Sequence, residues 1–68
     1  MPAYYVNPNT QSNGDNEVHK EGCYWLGLVA NPVFLGYHTE CTWAVDAAKA
    51  RGYFANGCYH CSTMCHTT

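Results

Sequence analysis

Apolar residues occur in short runs along this chain, separated by polar or turn-forming residues. Residues 3–7, 17–20 and 33–38 contain valine or tyrosine, which favour β-structure, so each predicts a short strand. The stretch 8–16 is rich in asparagine and predicts a polar loop. Residues 39–51 have the apolar spacing of an α-helix. The pattern therefore predicts several short strands and one helix in the C-terminal half.

The predicted helix has one apolar face. Its members occur at positions i, i+3, i+4 and i+7: Cys41, Ala44, Val45 and Ala48. Thr39 precedes them and is the predicted N-cap, because its hydroxyl can accept a hydrogen bond from the first turn. The small side chains on this face suit close packing against a sheet.

Two features refine the predicted strands. The Asn13-Gly14 step favours a tight reversal of the chain ahead of the second strand. In the third strand Val33, Leu35 and Tyr37 alternate with other residues, so they are predicted to share one face.

Two segments have no regular period. The stretch 23–30 is apolar but irregular, and we expect Leu26 or Leu28 to enter the core. The Asn56-Gly57 step is typical of a turn and is predicted to lead into the last cysteines.

The length limits how this chain can be stabilised. We predict one domain over 1–68, with a core at 17–61 and a short tail at 62–68. Ordering costs about 1.5 kcal/mol per residue, which roughly cancels the apolar burial of so short a chain. The predicted fold class is a small α+β, ββα-like domain with short antiparallel strands, one helix at about 39–51 and a metal ion that joins its ends.

The charge argues against a dedicated nucleic-acid binder. The formal net charge is −2, and the basic residues are Lys20, Lys49 and Arg51. Binding to duplex nucleic acid draws on several phosphate contacts, so nucleic acid is an unfavoured partner.

Two short-spaced pairs of soft ligands predict a metal site. His19-x3-Cys23 lies in the first half of the chain and Cys58-x2-Cys61 near its end. Such spacings let two neighbouring side chains reach one tetrahedral Zn²⁺, and the knuckle formed by the second pair would point backbone N–H groups at its sulfurs. We predict one structural Zn²⁺ held by these four residues. It would contribute about 10–16 kcal/mol, as in small zinc-dependent peptides.

The remaining cysteines and histidines leave alternatives open. Cys65 could replace His19 as a ligand, pair with Cys41 on oxidation, or stay free. Cys41 lies on the apolar helix face and is predicted to be a packed residue. His66 is a weaker ligand candidate, and His38 and His60 are predicted at the surface or beside the ligands. An oxidised protein could instead use its cysteines in a disulfide framework.

No targeting or membrane segment is predicted. Residues 1–5 lack the basic and apolar regions of a secretion signal, and no apolar run of 18 residues occurs. We therefore expect a cytoplasmic protein whose clustered cysteines bind metal before they form disulfides.

The order of these features resembles the Ada-type metal-binding domain of bacterial proteins, in its shortened form. The resemblance spans about residues 17–61 and is carried by Val18-His19-x3-Cys23, the strand at 33–37, helix residues Ala44, Val45 and Ala48, Gly52-Tyr53 and Cys58-x2-Cys61. Residues 56–67 also resemble the Asn-Gly-Cys-x2-Cys-x3-Cys-His-Thr ending of small bacterial proteins of unknown role.

The resemblance implies the zinc site and a ββα architecture, but not the repair activity. In the Ada DNA-repair protein the first cysteine of a Cys-x3-Cys arm accepts a methyl group, and His19 stands at that position here. An insertion near 52–56 is a second departure from the pattern, and the scarcity of basic residues is a third.

Three functions remain open. We favour a non-catalytic zinc module that binds another macromolecule, more readily a protein than a nucleic acid, in an oligomeric state that the sequence leaves open. The first alternative is a redox or thiol-transfer protein that uses Cys61 and Cys65 or a zinc-bound thiolate. The second is a weak binder of single-stranded nucleic acid through exposed aromatic residues.

Overall fold

The computed structural model describes residues 1–10 and 14–67, and it confirms the predicted α+β class. The predicted reversal at Asn13-Gly14 includes Asn13, which lies outside the described residues. The last residue of the tail, Thr68, also lies outside them. In chain order the strands and helix are β1 (Ala3–Val6), β2 (Asn16–Lys20), β3 (Val33–Tyr37), α1 (Cys41–Ala50) and β4 (Ala55–Gly57), and two 3₁₀ helices lie at Trp25–Leu28 and Thr63–Cys65.

The strands of the described chain form one mixed sheet in the order β3-β1-β2-β4. β1 is antiparallel to both β2 and β3, as predicted, but β4 is parallel to β2. The prediction of antiparallel strands alone was therefore wrong at this edge of the sheet. The predicted turn at Asn56-Gly57 was also wrong, because both residues belong to β4.

β4 forms because its neighbours on β2 pair with it, not because its own residues favour strands. Asn16 donates its backbone N–H to the carbonyl of Phe54 at 2.8 Å, and its side-chain oxygen accepts the N–H of Phe54 at 3.1 Å. At the other end, the N–H of Cys58 donates to the carbonyl of Val18 at 2.9 Å. These bonds hold a segment of low β propensity against β2.

The helix is shorter than predicted. It runs over Cys41–Ala50 rather than 39–51, and Glu40 rather than Thr39 is the N-cap residue. Glu40 has the extended backbone of an N-cap, with φ −141° and ψ 152°, but its side chain makes no capping hydrogen bond. Strand ends differ from the predictions by one residue: β1 and β3 each end one residue earlier, and β2 begins one residue earlier.

A β-bulge in β3 changes the side on which Tyr37 lies. Phe34 pairs with Tyr5 and Gly36 with Tyr4, so Leu35 is an extra residue on β3. Gly36 has a φ of 101°, a conformation that L side chains rarely adopt. The bulge shifts the alternation, and Tyr37 lies with Phe34 on the exposed face, with ring centroids 5.5 Å apart. The predicted face was therefore wrong for Tyr37.

The core lies between α1 and one face of the sheet. From the sheet it contains Tyr4, Val6, Val18 and Leu35, and from the helix Cys41, Ala44, Val45 and Ala48. All four predicted helix-face residues are in this cluster, so the predicted face is confirmed.

The segment after Cys23 does not enter this core. Its 3₁₀ helix, Trp25–Leu28, has no buried residue. Leu28 is 63% exposed and Leu26 is half-buried. The expectation that one of them enters the core was therefore wrong. This segment instead lies beside β2.

A disulfide joins Cys41 at the start of α1 to Cys65 in the second 3₁₀ helix. It accounts for the odd number of cysteines, because it leaves Cys23, Cys58 and Cys61 as free thiols. Among the residues described, no helix has the length and apolar character needed to cross a membrane.

Candidate metal centre

Four predicted ligands lie together at one place in the fold. One ligand atom from each of His19, Cys23, Cys58 and Cys61 lies within 4.8 Å of every other, which is an arrangement that could hold a metal ion. His19 and Cys58 are each 1% exposed, whereas Cys23 and Cys61 are half-buried.

The parallel pairing of β2 and β4 explains why His19 and Cys58 are neighbours. The register pairs Val18 with Gly57, the last residue of β4. The residue that follows each member of this pair is a ligand: His19 follows Val18, and Cys58 follows Gly57. The hydrogen bond from Cys58 N–H to the Val18 carbonyl extends the pairing of the two segments to the ligands. Two ligands 39 positions apart in the sequence thus lie side by side at the neighbouring ends of β2 and β4.

Cys23 is positioned by a tight turn at the end of β2. Its N–H donates to the carbonyl of Lys20 at 3.1 Å, and the intervening Gly22 has a φ of 85°. The backbone N–H groups of Leu26 and Trp25 act to lower the pKa of the Cys23 thiol. Such donors stabilise a thiolate, so the turn prepares this sulfur to bind a cation.

The second pair forms the predicted knuckle. The N–H of Ser62 donates to the Cys58 carbonyl at 2.9 Å, and the backbone N–H groups of Cys61 and His60 act to lower the pKa of the Cys58 thiol. The Cys61 sulfur accepts the N–H of Lys20 at 3.3 Å, which ties the knuckle to β2. Backbone N–H groups therefore favour the thiolate form at each of the three cysteines.

The imidazole of His19 points one nitrogen at the sulfurs. Its Nδ1 lies 3.8 Å from the Sγ of Cys23 and 3.8 Å from the Sγ of Cys61. Burial lowers the pKa of His19, and the carboxylate of Glu17 opposes that shift. The ring is therefore neutral at neutral pH, the form in which imidazole binds metal ions.

The three thiols cannot all ionise easily without a cation among them. Burial raises the pKa of Cys58, and burial together with the hydrogen bond to Cys23 raises the pKa of Cys61 to about 12. Burial would also raise the pKa of Cys23, but its hydrogen bonds from Cys61 and from backbone N–H groups lower it. One thiolate is thus favoured at the expense of the other two, as expected for like charges in a confined space.

The far side of the His19 ring faces Glu17. His19 Nε2 is buried, has no hydrogen-bond partner within the described part of the chain, and lies 3.6 Å from the Oε1 of Glu17. Metal-bound histidines commonly direct their second ring nitrogen at a carboxylate, which fixes the ring orientation. Sequence analysis missed Glu17, although its position two residues before His19 on a strand was the available signal.

The other candidates lie elsewhere. Cys65 is bonded to Cys41, so one of its three predicted fates is the one observed. The Nδ1 of His66 lies 3.0 Å from the carbonyl of Gly57, and His60 is exposed and stacks on Trp25. Neither histidine belongs to the group of four ligand atoms.

Comparison with known proteins adds no name to this site. No family model, curated protein or solved structure matches the chain. The metal centre therefore rests on the geometry of its residues, and the resemblance to the Ada-type domain stays an expectation.

Proposed function

We propose that this chain is a small non-catalytic module in which one Zn²⁺ holds the fold together and the surface binds a protein. The ligands would be His19, Cys23, Cys58 and Cys61. The observation that carries this proposal is the convergence of their four ligand atoms within 4.8 Å, from two distant parts of the chain. So short a chain gains most from a cross-link of this kind.

The distances suit zinc. With ordinary zinc bond lengths, a tetrahedral site has N···S edges of about 3.6 Å and S···S edges of about 3.8 Å. The observed separations of 3.8 Å from Nδ1 of His19 to the sulfurs of Cys23 and Cys61 need little adjustment to reach these values. Three thiolates and one neutral imidazole are also a donor set that zinc prefers.

A structural role follows from the number and burial of the ligands. Four protein ligands fill a tetrahedral site and leave no position for water or substrate. The two ligands at the ends of β2 and β4, His19 and Cys58, are each 1% exposed. Methyl transfer of the Ada type is not part of the proposal, because the position of the accepting cysteine is His19.

Three further predictions from the sequence remain predictions. They are a thiol-transfer role, single-stranded nucleic-acid binding and the cytoplasmic location. The disulfide between Cys41 and Cys65 weighs against the last, because disulfides are rare in a reducing cytosol.

The test combines metal analysis with a matched pair of histidine variants. We expect native mass spectrometry of the protein with reduced ligand thiols to show one Zn²⁺ per chain, and chelation to change its circular dichroism spectrum to that of an unfolded chain. His19→Ala removes a ligand and should weaken zinc binding by more than about 100-fold, the upper range for losing an outer-shell partner. His60→Ala removes an exposed imidazole within the knuckle and should leave zinc binding unchanged.

Two results would overturn the proposal. One is a protein that stays folded after exhaustive chelation. The other is equal zinc affinity in the two histidine variants. Cobalt substitution provides a further check, since tetrahedral thiolate coordination of Co²⁺ has a characteristic absorption spectrum that His19→Ala should change.

A further inference from the structure

A cleft of about 190 Å³ opens beside the candidate metal centre. Its sheet side carries the His19 ring, and its other side is the segment around the first 3₁₀ helix. The lining residues are Asn7, Glu17, His19, Trp25, Leu28 and Val29. The metal site as described above uses only the Nδ1 side of the His19 ring, so the cleft is not explained by metal binding.

The polar wall of the cleft is negative. Glu17 supplies the formal charge among the six lining residues, and its side chain is 29% exposed and thus open to a ligand. When Nδ1 of His19 binds the metal, Nε2 carries a hydrogen that points towards the Glu17 carboxylate 3.6 Å away. Three thiolates around a divalent ion add a net negative charge close by. A cation is therefore the ligand that this wall favours.

The opposite wall is apolar and open. Trp25 is 42% exposed and Leu28 is 63% exposed, while Val29 is half-buried. An aliphatic stem can pack on these side chains, and an indole ring attracts a cation at its face. A long apolar stem that ends in a positive charge describes the side chains of lysine and arginine.

Exposed aromatic rings continue from the cleft across the surface of the metal centre. Consecutive ring centroids lie 5.2 Å apart from Tyr24 to Trp25, 5.2 Å from Trp25 to His60 and 5.3 Å from His60 to Tyr59. Tyr24 is 72% exposed and Tyr59 is 61% exposed. We call these four residues the aromatic strip. Protein interfaces are enriched in such residues, whereas a stacking surface for nucleic acid also needs positive charge.

We propose that the cleft binds the cationic side chain of a lysine or arginine in a partner protein, and that the aromatic strip contacts the residues that flank it. The ammonium or guanidinium group would bond to Glu17, and its stem would pack on Trp25 and Leu28. This inference rests on the proposed function as an interaction module, and it specifies the chemistry of the partner.

The test uses short blocked peptides that differ in one side chain. The zinc-loaded, ¹⁵N-labelled protein is titrated with acetyl-Gly-Lys-Gly-amide, with its arginine analogue, and with its norleucine analogue, which keeps the stem and lacks the charge. We expect a cationic peptide to shift the amides of Glu17, His19 and 25–29. The norleucine peptide should bind about tenfold more weakly or not at all, because a charge-assisted hydrogen bond contributes at least that much.

Matched variants separate the charge from the fold. Glu17→Gln keeps an oxygen that can accept the Nε2 hydrogen of His19, and in protein saturated with zinc it should lower peptide binding about tenfold. Asp46→Asn removes one charge from the exposed side of α1 and should leave peptide binding unchanged. Trp25→Leu keeps an apolar wall without the aromatic face, and it should also weaken binding of the cationic peptides.

Three results would overturn the inference: equal binding of the norleucine and lysine peptides, no shift from either cationic peptide, or shifts at these amides from oligothymidylate in place of the peptides. Native mass spectrometry of the same samples reports the metal. A protein without zinc would contradict the proposed function, whereas a zinc-loaded protein that ignores the peptides contradicts this inference alone.

Discussion

The buried His19 side chain contacts the metal-binding sulfurs on one side and a carboxylate on the other. Its Nδ1 faces two sulfurs at 3.8 Å, and its Nε2 lies 3.6 Å from Glu17. A buried imidazole with no cation beside it would leave polar atoms poorly satisfied, at a cost of about 1–3 kcal/mol. The two nitrogens therefore have different roles: Nδ1 would bind the metal ion, and Nε2 would donate its hydrogen towards Glu17.

Gly57 is the residue at which we expect a small substitution to do the most damage to the fold. A Cβ added there would lie 2.6 Å from the Cβ of Cys65 and 2.6 Å from the backbone oxygen of Ser62. We predict that Gly57→Ala lowers the free energy of unfolding by about 3 kcal/mol, the upper end for overpacking, because backbone atoms cannot move aside easily. Chemical denaturation of the zinc-loaded protein measures this change.

Gly27→Ala is the control for that prediction. A Cβ at Gly27 meets nothing within 4 Å, and this glycine has no positive φ. The free energy of unfolding should therefore change by less than about 0.5 kcal/mol. Equal effects of the two substitutions would mean that the close approach at Gly57 is not a constraint on the fold.

At the scale of elements, the sequence predicted what local pattern determines and missed what pairing determines. The face of α1 and the first three strands follow from apolar spacing, which is a local property. β4 does not, because Asn56 and Gly57 favour turns and are held in a strand by their contacts with β2. The spacing of the ligands identified the candidate metal site, but the parallel register that joins His19 to Cys58 is not visible in the sequence.

The start of α1 can be improved by one substitution. Glu40 has the backbone conformation of an N-cap, but its side chain makes no hydrogen bond to the first turn. We predict that Glu40→Ser raises the free energy of unfolding by about 1 kcal/mol, since a serine hydroxyl at this position accepts an N–H of that turn. Thermal unfolding of the zinc-loaded protein should show a higher midpoint. Glu40→Gln also removes the charge but adds no good cap, and an equal gain from it would contradict this explanation.

At the scale of the whole molecule, two cross-links connect the same small core from different sides. The candidate metal centre joins the ends of β2 and β4 to the turns at Cys23 and Cys61. The disulfide joins the start of α1 to the second 3₁₀ helix. Because the two use different cysteines, each can be removed without changing the ligands of the other.

We therefore predict that the double substitution Cys41→Ala with Cys65→Ala weakens the fold without releasing the metal. The disulfide closes a sequence separation of 24 residues, and a loop of this size contributes about 3.5 kcal/mol by restricting the unfolded chain. Chemical denaturation should show a loss of that order, while native mass spectrometry should still show one zinc per chain.

Loss of zinc from this variant would contradict the assigned ligands, because it would mean that Cys65 takes part in metal binding. The control is the unsubstituted protein under conditions that reduce the disulfide, which should show most of the same loss because it lacks the same cross-link but keeps the Cys41 sulfur in the core.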